Sequence, residues 1–212
     1  FFGALVMRSA GCIINDIVDR DFDCCVERTK ERPLANRSLS LLSAFIVLSL
    51  MLCMGGMIWL TFRPIPQCIA LLAAFGAVLY PFLKRWTYYP QLFLGIIFNS
   101  GVWVAWFERN DQITSLPFFL YIAGIFWTLS YDTSYAMQDL EDDLRIGIKS
   151  TAVRFGSYAP YFIALCQISM GVSLFPLIRW WSLIVLFPLF YNTLITQTIL
   201  GGLIACILHF LC

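Results

Sequence analysis

Apolar residues occupy long, nearly uninterrupted stretches of this chain, separated by short polar segments. The stretches are 1–14, 41–62, 65–83, 92–107, 116–131, 160–178 and 180–212. A helix of roughly 20 apolar residues crosses the ~30 Å hydrocarbon core of a bilayer, so each stretch reads as a transmembrane helix, the first of them cut short. The last stretch, at ~1.5 Å per residue, would reach roughly 50 Å, too long for one crossing, and is predicted to fold as a hairpin near Phe190 to Thr193. The pattern predicts an all-α, polytopic transmembrane bundle of about eight spans, forming a single domain over residues 1–212.

Composition agrees with that pattern. Charged residues make up 13% and hydrophobic residues 60% of the 212, with a mean hydropathy of +0.78, whereas a soluble domain carries about a quarter charged residues. The 19 Phe and 7 Trp suit helices that face lipid or line an apolar cavity. A net charge of +1 gives no electrostatic footprint for nucleic acid. The eight cysteines, among them the adjacent Cys24 and Cys25, show no metal-ligand spacing and read as reduced, small apolar residues. The chain opens at Phe1 inside an apolar run with no basic leader before it, which reads as a truncated start.

The position of charge says more than its total. Eleven of the 13 acidic residues fall in two segments, 15–40 and 132–154. Counting spans places both segments and the Lys84-Arg85 pair on one side, and between them they hold ten of the 14 Lys and Arg. The positive-inside rule turns that side toward the cytoplasm, or toward the matrix in a mitochondrion.

Each acidic segment continues an apolar helix. Asn15, Asp19 and Asp23 stand at i, i+4 and i+8, one face of a helix, with Asp16 beside them. Asp132, Asp139 and Asp143 stand at i, i+7 and i+11, while Glu141 and Asp142 point elsewhere. Stacked carboxylates at a membrane-embedded helix end repel and are costly unless a cation sits among them. Hard oxygen ligands from two facing helices suit Mg²⁺, which keeps part of its shell for water and substrate phosphates. Two such clusters on one side of a bundle imply a phosphate ester between them. Charges spread near the middle of several spans would mark a transporter; here only Arg8, Asn99 and Ser100 stand inside spans apart from the charged side.

The first segment, Asn15-Asp16-Ile-Val-Asp19-Arg-Asp-Phe-Asp23, and the second, Asp139-Leu-Glu-Asp-Asp143, resemble the two motifs of the UbiA superfamily of intramembrane prenyltransferases. Further pieces follow in family order: Arg28-Thr-Lys-Glu-Arg32-Pro33, Tyr80-Pro-Phe-Leu-Lys84-Arg-Trp-Thr and Ile146-Gly-Ile-Lys149-Ser-Thr. The similarity covers nearly the whole chain to about residue 157. The wording around Met7-Arg8-Ser-Ala-Gly-Cys and Tyr131-Asp132-Thr-Ser-Tyr-Ala-Met resembles the branch that prenylates 4-hydroxybenzoate in ubiquinone biosynthesis.

The resemblance implies nine spans, of which the first is missing here, and a cavity to which that missing helix contributes. It implies Mg²⁺ as cofactor, with Asn15, Asp19, Asp23, Asp139 and Asp143 as ligands of two ions, and polyprenyl diphosphate and an aromatic acid as substrates within membrane lipid. Arg32 and Lys84 become diphosphate contacts, with Lys149 a third cation for the leaving group. Homogentisate or a naphthoate are the alternative acceptors. Arg8, seven residues before Asn15 in an apolar run, is assigned to the acceptor carboxylate, against the alternative that it snorkels to the interface. Asp132 is read as orienting the acceptor hydroxyl or taking up the ring proton, or as a further carboxylate near the metal. Tyr80 either positions Lys84 or belongs to the aromatic belt. The lone His209 reads as a packing or lipid-facing residue.

Overall fold

The computed structural model of the protein describes residues 2–178, and among them every regular element is a helix. The run 180–212, its expected hairpin and His209 lie outside the described residues. The helices are α1 Phe2–Val18, α2 Arg20–Asp23, α3 Leu41–Trp59, α4 Pro64–Trp86, α5 Pro90–Phe98, α6 Gly101–Phe107, α7 Ser115–Gln138, α8 Leu140–Ile146, α9 Thr151–Phe155 and α10 Ala159–Ile178. Leu41–Trp59, Pro64–Trp86, Pro90–Phe107 and Thr151–Leu177 are long and apolar enough to cross a membrane.

Local chemistry sets the helix ends. Ser40 caps α3, its side chain accepting from the Ser43 N–H at 3.1 Å. Pro64 opens α4 and Pro90 opens α5, where a missing N–H is no loss. Lys84 and Arg85 close α4 at its negative dipole end. At the end of α8, Gly147 takes φ 74°, a left-handed turn that a side chain would strain.

The stretch 92–107, expected as one span, divides into α5 and α6 at Asn99 and Ser100. Asn99 is the reason. Its Nδ2 donates to the Gly95 carbonyl at 2.8 Å and to Thr128 Oγ1 at 2.9 Å, which satisfies a polar side chain that lipid could not. Thr128 belongs to α7, and the pair needs a close approach there: a Cβ on Gly124 would clash with Asn99 Oδ1.

Helix α7 is the hub, packing on α10, α5, α6 and α9, while α1 lies against α3 and α4. Ile125, Leu129 and Cys166 form the apolar contact between α7 and α10, with Tyr121, Phe126 and Phe162 around them. The burial is inverted relative to a water-soluble protein. The largest side chains that are fully enclosed are threonines and prolines, among them Thr128, Thr133 and Thr151, whereas Leu72, Phe75 and Tyr161 stand largely exposed on the outside. Small residues and hydroxyls between helices with large apolar groups outward is the arrangement lipid favours. No disulfide joins the described cysteines, of which five are exposed and Cys166 is buried.

Candidate active site

The two acidic segments take the same backbone path. Helix α1 ends at Val18 and α7 at Gln138; the next residues, Asp19 and Asp139, have φ −91°, ψ 3° and φ −99°, ψ 8°. Both lie in the bridge region, where active-site residues are often found. The expectation of an unbroken helix fails at these residues, but the register survives. Asp19 N donates to Asn15 O, Asp23 N to Asp19 O and Asp143 N to Asp139 O, each at 2.8 Å. Side chains four apart therefore stay on one face through each bend.

Those faces meet in a cavity of about 140 Å³ at the charged end of the bundle. Asn15, Asp19 and Asp23 line it from one segment, and Asp132, Asp139 and Asp143 from the other. Arg28, Arg32, Lys84 and Lys149 line it too, with Tyr80, Tyr135 and Gln91. The cations are distributed among the acids. Lys84 Nζ bonds Asp19 Oδ2 at 2.9 Å and Asn15 Oδ1 at 3.3 Å. Arg32 Nη1 bridges Asp16 Oδ1 at 2.9 Å and Asp23 Oδ2 at 3.0 Å. Arg28 grips Asp139 in bidentate fashion, Nε to Oδ1 at 2.9 Å and Nη2 to Oδ2 at 2.6 Å. Among the described residues no three carboxylates converge as a finished metal cage; the cations hold them apart.

The two segments are joined across the cavity mouth by the Arg28–Asp139 pair and by the Glu27 N–H, which donates to Asp142 Oδ2 at 3.0 Å. The loop after α8 is pinned in turn, Lys149 N donating to Lys84 O at 2.8 Å. Lys84 Nζ lies 5.2 Å from the Tyr80 ring centroid, and the Tyr80 hydroxyl is within hydrogen-bonding reach of Asp132. Lys149 Nζ stands 5.4 Å from the Tyr88 ring centroid. Burial, helped by the neighbouring Asp139, pushes the Asp143 carboxyl up to about 6. Burial also raises Asp23, against the pull of Arg32. The hydrogen bonds from Arg28 to Asp139 raise the guanidinium further.

Ten of the eleven residues singled out in the sequence line this cavity; Arg8 does not. It stands on the exposed side of α1 and is close enough to Tyr131 to interact electrostatically. Arg28 and Gln91 are among the lining residues to which the sequence reading gave no role. Arg28 pairs with a residue 111 positions away, and no local spacing signals that. Gln91 follows Pro90 at the head of an apolar helix, and an amide placed there was the available signal.

The fold and the site together define an integral membrane helical bundle with a charge-lined polar cavity at one end. The chain belongs to the UbiA prenyltransferase family, whose model matches residues 1–210. It is similar to proteins named 4-hydroxybenzoate octaprenyltransferase from Vibrio atlanticus, 39% identical over 78% of this chain and 58% of the relative, and from Neisseria meningitidis, 45% identical over 78% and 56%. A third, from Alcanivorax borkumensis, is 43% identical over 79% and 58%. The chain thus spans somewhat more than half the length of these curated relatives. The apo structure of a UbiA homolog from Aeropyrum pernix K1 superposes with a TM-score of 0.77 at 20% identity, covering 93% of this chain and 77% of that one, and shares the fold.

Proposed function

We propose that the protein transfers a polyprenyl group from polyprenyl diphosphate to the ring of 4-hydroxybenzoate in ubiquinone biosynthesis, with diphosphate as the second product. The observation that carries this reading is the convergence of both acidic segments and four cations on one cavity. The names of the relatives support the acceptor. The bilayer is a bacterial inner membrane, or its mitochondrial counterpart, with the cavity opening to the cytoplasm or matrix.

The lining suits Mg²⁺. Its candidate ligands Asn15, Asp19, Asp23, Asp139 and Asp143 offer only hard oxygens. Five carboxylates face four cations in the wall, and Asp143 has no ion-pair partner among the described residues. Bound there, Mg²⁺ would supply positive charge to the departing diphosphate. Arg32, Lys84 and Lys149 hold the diphosphate oxygens, and Tyr80 steers Lys84 through its ring face. The allylic carbon–oxygen bond breaks, its electron pair leaving with the diphosphate. The ring carbon beside the phenol hydroxyl then bonds to the allylic carbon and loses its proton. Asp132 orients that hydroxyl or accepts the proton, and Arg8 grips the acceptor carboxylate. Tyr135 on the cavity wall, with Tyr131 edge-on to it at a centroid distance of 6.5 Å, gives the allylic cation an aromatic flank against water.

The test is transfer of a labelled prenyl group to 4-hydroxybenzoate by the full-length protein in membranes, with and without Mg²⁺, comparing wild type with Asp19→Ala and Asp139→Ala. Product that requires Mg²⁺ and both carboxylates supports the reading. Product only with homogentisate or a naphthoate keeps the chemistry and replaces the acceptor; no product with any acceptor removes the assignment.

A further inference from the structure

Gln91 is the second residue of α5, sits in the cavity wall and is 4% exposed. Its Oε1 accepts from the Thr151 backbone N–H at 3.1 Å. An N–H can be met only by the oxygen of the amide, so this bond decides which way the amide lies and leaves Nε2 on the other branch. The anchor itself is fixed. Thr151 Oγ1 shares a hydrogen bond of 2.7 Å with Thr133 Oγ1, both side chains being fully buried. Ser150 caps the short helix that Thr151 begins, its Oγ accepting from Val153 N at 3.2 Å.

Among the described residues Nε2 has no hydrogen-bond partner, yet no fully enclosed side-chain nitrogen or oxygen lacks one. Nε2 therefore opens onto the cavity. It is a donor held at the positive end of α5, in the cavity that Lys84 and Lys149 also line, the Lys149 N to Lys84 O bond tying those two together. A preorganised N–H donor at a helix N-terminus, in a cavity that Lys84 and Lys149 also line, matches an oxygen that bears negative charge.

We propose that Gln91 is a substrate-binding and specificity-determining residue, whose Nε2 donates to an anionic oxygen of a molecule held in the cavity. This rests on the reading of the cavity given under Proposed function. Two sources fit the chemistry, a diphosphate oxygen of the prenyl donor and a carboxylate oxygen of the aromatic acid, and binding assays separate them.

Two variants of the full-length protein in nanodiscs test the proposal. Gln91→Glu keeps an acceptor for the Thr151 N–H and loses the donor; Gln91→Met loses both without adding charge. Inorganic diphosphate and 4-hydroxybenzoate, each with Mg²⁺, serve as probes in calorimetric titration, beside thermal unfolding. Both variants are expected to weaken one probe about tenfold or more, the loss associated with a hydrogen bond to a charged partner. Gln91→Glu should keep the wild-type Tm while Gln91→Met melts lower. Loss confined to inorganic diphosphate assigns the prenyl donor as source; loss confined to 4-hydroxybenzoate assigns the acceptor. If Gln91→Glu alone weakens binding, simple repulsion explains it and the proposal falls. If Gln91→Met alone weakens binding, and its Tm drops, the residue only supports Thr151 and the proposal falls as well. A wild type that binds neither probe overturns the reading of the cavity itself, a result visible before any variant is compared.

Discussion

The Arg28–Asp139 pair offers a measurable handle on the site. It joins two segments 111 residues apart through two parallel hydrogen bonds, with side-chain exposure of 40% for Arg28 and 13% for Asp139. Exposed ion pairs contribute about 0.2–1 kcal/mol, and breaking a fully buried pair costs about 3–5 kcal/mol. Bidentate geometry and the buried carboxylate raise the value, while the half-open guanidinium lowers it, so a coupling of about 1–2 kcal/mol is expected. For a chain of this size each kcal/mol moves Tm by about 2–4 °C. The assay is a double-mutant cycle with Arg28→Ala, Asp139→Ala and both together, followed by thermal unfolding of the full-length protein in detergent with a chelator present. A coupling below about 0.5 kcal/mol would refute the claim that this pair ties the two segments together. The cycle repeated with Mg²⁺ and inorganic diphosphate tests the ligand assignment, because Asp139 cannot give the same oxygens fully to a guanidinium and to a cation. The coupling should then shrink to about the 0.5 kcal/mol level; full retention would remove Asp139 from the metal ligands.

Two further expectations concern single side chains. Gly124→Ala should destabilise the protein by about 1–3 kcal/mol, since the new Cβ would press on an Asn99 amide pinned by Gly95 and Thr128, and an unchanged Tm would show that α5 and α7 can separate without cost. Arg8→Ala should raise KM for a carboxylated acceptor about tenfold or more while leaving KM for the prenyl donor near wild type, and equal effects on both would remove its assigned role.

The sequence showed the helices because lipid imposes one rule along their whole length, and the apolar runs are its imprint. It showed the acidic face because a four-residue step is a local property, preserved even where the backbone bends at Asp19 and Asp139. Distribution of the cations was beyond its reach. Whether Lys84 lies against Asp19, or Arg28 against Asp139, depends on how helices far apart in the chain come together. The division at Asn99 and Ser100 was half legible. The polar pair stood out in the run, but only its partner Thr128 on a separate helix explains why the chain yields there. Gln91 was hidden by its surroundings, since one amide after a proline reads as the ordinary start of a helix until Thr151 is seen to hold it.

The inverted burial bears on how this protein tolerates change. In a water-soluble domain, drift collects on the outside, where polar residues exchange freely, and the apolar interior is guarded. Here outward positions such as Leu72 and Val172 turn most of their surface to an oily solvent, so one bulky apolar residue can stand in for another. A saturation library would show permissive stripes along the outer faces of α4 and α10, open to any greasy residue and closed to charge. The guarded positions would be Thr128, Thr133 and Thr151, small hydroxyl residues that conventional hydropathy marks as dispensable.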